Sequence, residues 1–236
     1  MVRLKPDTTY DRPHVISLPM FIGHIALALA AKRATPRVSL ATLLLAAQWA
    51  DVLWPVFLAL GIEHVRIQPG NTAFTPLDFV SYPYSHSLVA LIGWGVVFGV
   101  GYRAVAGGRH MLWILAALVI SHWLLDFATH RPDMPLYPGS AKFGLGLWNS
   151  VPATLLIEGS MYAAGLTIYL RATRARDRIG RWGFFALAAV LVVIYLSAAF
   201  GPVPPSIDAL WVTALVGAAL LTAWAWWTDR HRYAVN

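Results

Sequence analysis

Seven apolar runs, at residues 20–36, 38–60, 86–106, 110–129, 150–170, 182–200 and 207–228, occupy most of a 236-residue chain. All but the first approach the ~20 residues needed to cross hydrocarbon. No water is present there to satisfy backbone N–H and C=O groups, so runs of this kind read as helices. With 58% hydrophobic and only 12% charged residues and a mean hydropathy of +0.60, a water-soluble globule is excluded. The expected fold is all-α, a polytopic transmembrane bundle of about seven helices. The first is short, as a tilted span or a half-inserted segment would be. It forms one domain over residues 20–230, preceded by an extension over 1–19 and followed by a tail over 231–236.

The extension, "MVRLKPDTTYDRPHVISLP", mixes both charge signs with three prolines and shows no helical period, so it reads as disordered. Met20 directly precedes the first apolar run and is an alternative start. A cleaved secretory leader is the rival reading of "FIGHIALALAA", but the prolines and aspartates ahead of it fit that poorly. The net charge of +7 would suggest nucleic acid in a soluble domain. Here the arginines lie in short loops between apolar runs, where they orient a protein in the bilayer, so no nucleic-acid partner is expected. With seven crossings, twelve of the eighteen Lys and Arg residues fall on one side, in the 32–37, 103–109, 171–181 and 230–232 stretches. By the positive-inside rule that side and the C-terminus are cytoplasmic, and the 61–82 and 130–149 loops face outward. A bacterial inner membrane is the expected location. Trp148, Trp182 and "AWAWW" (223–227) read as interfacial anchors, and Gly95 with Gly99 as a small-x3-small packing pair.

The ionisable residues within these runs are few: His24, Asp51, His122, Asp126 and Glu158, with His86 at the outer edge of its span. A central Asp costs about 2.5–3.5 kcal/mol on insertion scales, so such residues are by default functional and partnered. At ~1.5 Å per residue, all of them lie in the outward half of their helices. They can therefore meet. His122 and Asp126 share one helix face, and His130 extends the stripe if the helix persists. The chain has no cysteine, so a bound metal would rest on His, Asp, Glu or backbone oxygen. Zinc takes four such ligands at ~2.0–2.2 Å. A proton or ion relay and purely structural polar contacts are the alternative readings of the same residues.

The segments "GHIALALAAKR", "LLLAAQWADVLWP", "YPYSHSLVAL" and "SHWLLDFATHRPDMPLYP" resemble the successive motifs of the bacterial membrane-bound metal-dependent hydrolase family. The likeness covers about residues 20–140 and implicates His24, Asp51, His86, His122 and Asp126. The ligand order, completed by His130, is also distantly similar to that of zinc-dependent phospholipase C. Two departures stand out. Ala50-Asp51-Val52-Leu53 replaces the family's Pro-Asp-x-Asp pair, which removes a carboxylate for a second metal, and Ser85 replaces Thr before His86. The phospholipase pattern also ends in His-x3-Glu, whereas Thr154 stands four residues before Glu158.

The resemblance implies a divalent metal, zinc, held by His24, Asp51, His86, His122, Asp126 and His130. It implies hydrolysis with Glu158 or Asp51 moving the proton. Arg131 is a candidate for holding substrate charge, with Arg66 and Lys142 in the same layer. A site at headgroup depth points to a membrane lipid or lipid-linked phosphoester. The competing functions are a proton- or ion-coupled transporter and a non-catalytic membrane scaffold. Glu63, His64 and Asp78 read as solvated loop residues, and Ser85, Ser121 and Asn149 as possible supports behind the ligands. Phosphate-loop, Gly-x-Ser-x-Gly and HExxH motifs are absent. A chain beginning at Met20 is expected to insert into membranes like the full chain, which membrane fractionation after expression would check.

Overall fold

The computed structural model describes residues 22–235. The readings for residues 1–19 and for Met20 lie outside them. The described chain is an all-α bundle: α1 (Ile22–Ala31), α2 (Leu40–Ala47), α3 (Trp49–Ala59), α4 (Pro83–His86), α5 (Leu88–Ala106), α6 (Arg109–Thr129), α7 (Val151–Ala172), α8 (Phe184–Phe200) and α9 (Ile207–Arg230). Three two-stranded antiparallel pairs decorate its ends: β1 (His64–Ile67) with β2 (Leu77–Ser81), β3 (Met134–Pro135) with β4 (Lys142–Phe143), and β5 (Thr173–Ala175) with β6 (Arg232–Ala234). Five of the helices are long and apolar enough to cross a membrane, α8 being extended by a π-helical turn from Ile179. Their outward faces carry exposed Val, Leu, Ile and Phe side chains, as lipid contact requires. The protein is a multi-pass membrane protein.

The expected seven spans become five straight helices, one broken crossing and one embedded helix. The 38–60 run is not continuous, because α2 and α3 meet at 60°. At the break, Gln48 takes φ −102°, ψ 15°, and the Ala47 carbonyl accepts a hydrogen bond from His122 at 2.8 Å. A side chain inserted into the i→i−4 ladder is a recognised cause of such a kink. α1 has ten residues, about 15 Å of helix, too short for ~30 Å of hydrocarbon. It is instead enclosed by the bundle, with Ile22, Gly23, His24, Ile25, Ala26, Ala28 and Leu29 all buried.

One end of the bundle is basic and tied together. Lys32 Nζ, just after α1, donates to Asp229 Oδ2 on α9 at 2.9 Å and to the Val38 carbonyl at 2.8 Å. Within the 231–236 tail, β6 pairs with β5 after α7. Trp182, Trp226 and Trp227 are 61%, 48% and 45% exposed, suited to interfacial anchoring. Trp148 departs from that expectation. It is buried, with its ring 4.1 Å from that of His130 and 6.3 Å from those of Phe74 and Phe79.

Close helix approaches rest on glycine. A Cβ on Gly95 would lie 2.9 Å from the Ala116 carbonyl oxygen, and one on Gly99 2.6 Å from that of Leu112, so this pair does lock α5 against α6. Gly165 does the same for α1 and α7, where a Cβ would fall 2.5 Å from the Ala26 oxygen. Because α1 meets α7 backbone against backbone at this point, Gly165→Leu is expected to lower the melting temperature in detergent markedly, overpacking costing about 1–3 kcal/mol. Gly159→Leu on the same helix, where a Cβ meets nothing within 4 Å, should leave it unchanged. Fluorescence-monitored thermal unfolding of the two variants makes the comparison.

Candidate metal centre

Above the kink, side chains from α1, α3, α4 and α6 and from the loop after α6 converge around Asp126. His122 Nε2 lies 3.2 Å and His86 Nε2 3.8 Å from Asp126 Oδ2, and the same two nitrogens lie 3.7 and 3.5 Å from Asp51 Oδ1. Four ligand atoms placed tetrahedrally around one ion at ~2.0–2.2 Å would stand about 3.3–3.6 Å apart. The four nitrogen–oxygen separations are of that order, and Asp51, His86 and His122 form one group of mutually close ligand atoms. His24, His122 and Asp126 form an adjoining group: His24 Nε2 is 3.0 Å from Asp126 Oδ1, and its ring stacks on that of His122 at 3.9 Å. His130 Nε2 stands 4.0 Å from Asp126 Oδ2.

Local backbone delivers each group. Pro83 opens α4 at a position where its missing N–H costs nothing, and the Glu63 carboxylate caps that turn, accepting from the Tyr84 and Ser85 N–H groups at 2.8 and 2.9 Å. His86 therefore sits on its own short helix and not on the edge of the following span, which starts beyond the Ser87 N-cap. The helical stripe expected from His122 through Asp126 to His130 is interrupted. α6 ends at Thr129, and His130 is extended, with φ −67° and ψ 151°. Pro132 two residues later disfavours continued helix. The ring nevertheless turns back towards Asp126.

The protonation of three histidines follows from what stands behind them. The Ala47 carbonyl can only accept, so His122 Nδ1 carries a proton, and Nε2 is the nitrogen left facing Asp126 Oδ2 at 3.2 Å. His130 Nδ1 faces Asp133 Oδ1 at 2.9 Å. Ser85 Oγ donates to Glu63 Oε2 at 2.6 Å and so accepts from His86 Nδ1, also at 2.6 Å. In each case Nε2 is the nitrogen directed to the carboxylate cluster. This is the arrangement in which a carboxylate or carbonyl orients a metal-binding imidazole. Tyr82 lies outside the spans, and burial with the Asp133 charge beside it pushes its phenol well above the ordinary range. It thus remains a donor to Asp133 Oδ1 at 2.8 Å.

Not every expected site residue joins the cluster. Glu158 is buried beside α1, accepting from the Gly23 N–H at 3.3 Å, and lines a small apolar cavity with His24. It stands behind His24. Arg131, expected to hold substrate charge, pairs with Asp78 and Asp133 behind His130, its side chain 38% exposed. The solvated-loop reading of Glu63 and Asp78 is also wrong: they are 1% and 5% exposed, and each is paired. His64 and Asn149 are exposed, Lys142 reaches the Val80 carbonyl at 2.9 Å, and Ser121 bonds back to its own helix. Asp133 and Tyr82 went unnoticed in the sequence. The signal available was the His-x2-Asp spacing of His130 and Asp133 across Pro132.

Searches of protein-family models, curated proteins and solved structures return no match to this chain. Replacing the groups behind the histidines, with Glu63→Gln and Asp133→Asn, is expected to weaken metal retention by roughly 10–100-fold without unfolding the bundle. Chelator competition followed by elemental analysis would measure it.

Proposed function

We propose that the protein is a membrane-embedded, metal-dependent hydrolase acting on a lipid or lipid-linked phosphoester. The observation that carries the reading is the convergence of Asp51 Oδ1, His86 Nε2, His122 Nε2 and Asp126 Oδ2, in which each imidazole nitrogen lies 3.2–3.8 Å from both carboxylates. A mixed imidazole–carboxylate set of this size suits zinc. His24 and His130, on either side of Asp126, complete the donor set. The sequence resemblance to the bacterial membrane-bound metal-dependent hydrolases supports the same reading and covers all of these positions.

A divalent cation held here would supply Lewis acidity and activate water. The chain's own contribution is to orient the imidazoles through Ala47, Ser85 and Asp133, and to keep most of the cluster from bulk water. Asp51 is the best-placed proton acceptor, because its side chain is 14% exposed and its Oδ2 is held by Gln48 Nε2 at 3.2 Å. Glu158 is the reserve carboxylate behind His24. In a bacterial inner membrane the basic end, with Lys32, Arg176 and Arg232, would face the cytoplasm, and the cluster would lie towards the outer surface.

Protein purified in detergent is expected to hold about one zinc per chain by elemental analysis, with Asp126→Asn and His122→Ala each losing most of it. Turnover of lipid-linked phosphoesters should disappear on chelation and return with zinc. Wild type holding no more metal than the variants would end the hydrolase reading.

A further inference from the structure

The cluster is closed on most sides. The side chains of His24, His86, His122, Asp126 and His130 are 1–3% exposed, against 14% for Asp51. What Asp51 meets is not a polar mouth. Together with Gln48 it ends a narrow cleft of about 40 Å³ walled by Leu44, Leu187, Leu191 and Leu221. Leu45, Val52, Ala218 and Thr222 also line a more open groove of about 640 Å³, so the two lie side by side with only these side chains between them. The groove lies between α2 and α9. It is hollowed by Ala218, Ala219 and Ala223 and bounded by Leu215 and Trp226. From Leu215 to Trp226 the helix runs roughly 16 Å.

Gln48 adds a second, independent observation. Its amide nitrogen must face Asp51, because a carboxylate only accepts, so the amide oxygen is the end turned away. Gln48 is 7% exposed, and that oxygen has no hydrogen-bond partner. A buried acceptor left unpaired is destabilising and calls for a donor. Beside it the cleft offers room, an apolar wall and a carboxylate.

We propose that this groove is the substrate's entrance and holds one hydrocarbon chain of a membrane amphiphile. The tail lies along the alanine face of α9, and a hydroxyl or N–H group at the polar end bonds to Gln48 Oε1 beside Asp51. The inference rests on the hydrolase reading for what happens to the ligand, but not for where its chain lies. The occupant follows from the chemistry at the two ends: the wide end belongs to a surface that faces hydrocarbon, and the narrow end is polar. A water-soluble phosphoester would have to shed its hydration along an apolar passage to reach Asp51.

The test uses full-length protein in nanodiscs of phosphatidylglycerol, a small fraction of which carries a diazirine at the end of one acyl chain. After irradiation, peptide mapping is expected to find adducts concentrated on Ala218, Ala219 and Ala223 and on the facing part of α2. Ala218→Trp should reduce them about tenfold, a change of about 1.4 kcal/mol in occupancy, whereas Leu220→Trp, on the exposed side of α9, should not. If Ala218→Trp fails to fold, Ala218→Leu carries the same expectation. Adducts spread evenly over lipid-facing positions such as Val193 and Leu220, or unchanged by filling the groove, overturn the proposal. So does chain-to-chain cross-linking at the groove in place of lipid adducts. Zinc is measured on the same samples: groove adducts without zinc retire the hydrolase reading alone, and zinc without groove adducts retires the entrance alone.

Discussion

The carboxylate of Asp126 is the point on which the interior of this bundle turns. It is 2% exposed within a helix that crosses the membrane, and an isolated charge there would be costly. The chain surrounds it with four imidazoles brought from α1, α4, α6 and the loop after α6. Each of those elements is shaped by the need to arrive. α1 is short because it has only to present His24 beside Asp126, and Gly165 lets it approach α7 closely enough to do so. α4 exists as a single capped turn that turns His86 inward. The kink between α2 and α3 opens one carbonyl to hold His122 and starts a new helix at the right height for Asp51.

Behind the imidazoles lies a layer that the membrane segments do not supply. Glu63, Asp78, Tyr82, Arg131 and Asp133 come from the 61–82 and 130–149 loops, and they are buried or half-buried and bonded to neighbouring side chains. Those loops are therefore the outer wall of the centre and not solvated connections. Their strand pairs fix the approach: in β1–β2, Arg66 stands opposite Asp78, and their side chains bond at 3.0 Å. Arg131 then joins Asp78 to Asp133, which in turn holds His130. A histidine whose outer nitrogen is already engaged loses less freedom on binding a cation, which is how such support raises affinity.

The same economy explains why the centre opens sideways. Loops and aromatic rings, with Trp148 against His130, cover the end of the cluster away from the kink. Small residues on α9 leave the flank between α2 and α9 thin, and the only partly exposed carboxylate of the cluster faces that flank. An enclosed polar site reached through an apolar passage favours amphiphilic over water-soluble ligands, since only the former enter without losing hydration.

By itself the sequence determined that the chain is a helical membrane protein and which ionisable residues lie within its apolar runs. Both follow from one asymmetry: a charge in hydrocarbon is so costly that His24, Asp51, His122, Asp126 and Glu158 stand out against their surroundings wherever they occur. The spacing of His122 and Asp126 also placed them correctly on one face, because helical period alone settles that. Only the tertiary structure decided the rest. It moved Glu158 behind His24, committed Arg131 to carboxylates and buried Glu63 and Asp78, since a loop charge looks the same in sequence whether water or a partner solvates it. It broke the 38–60 run at Gln48, because the carbonyl released there bonds to a histidine 75 residues away. No local pattern reports a contact made across that distance.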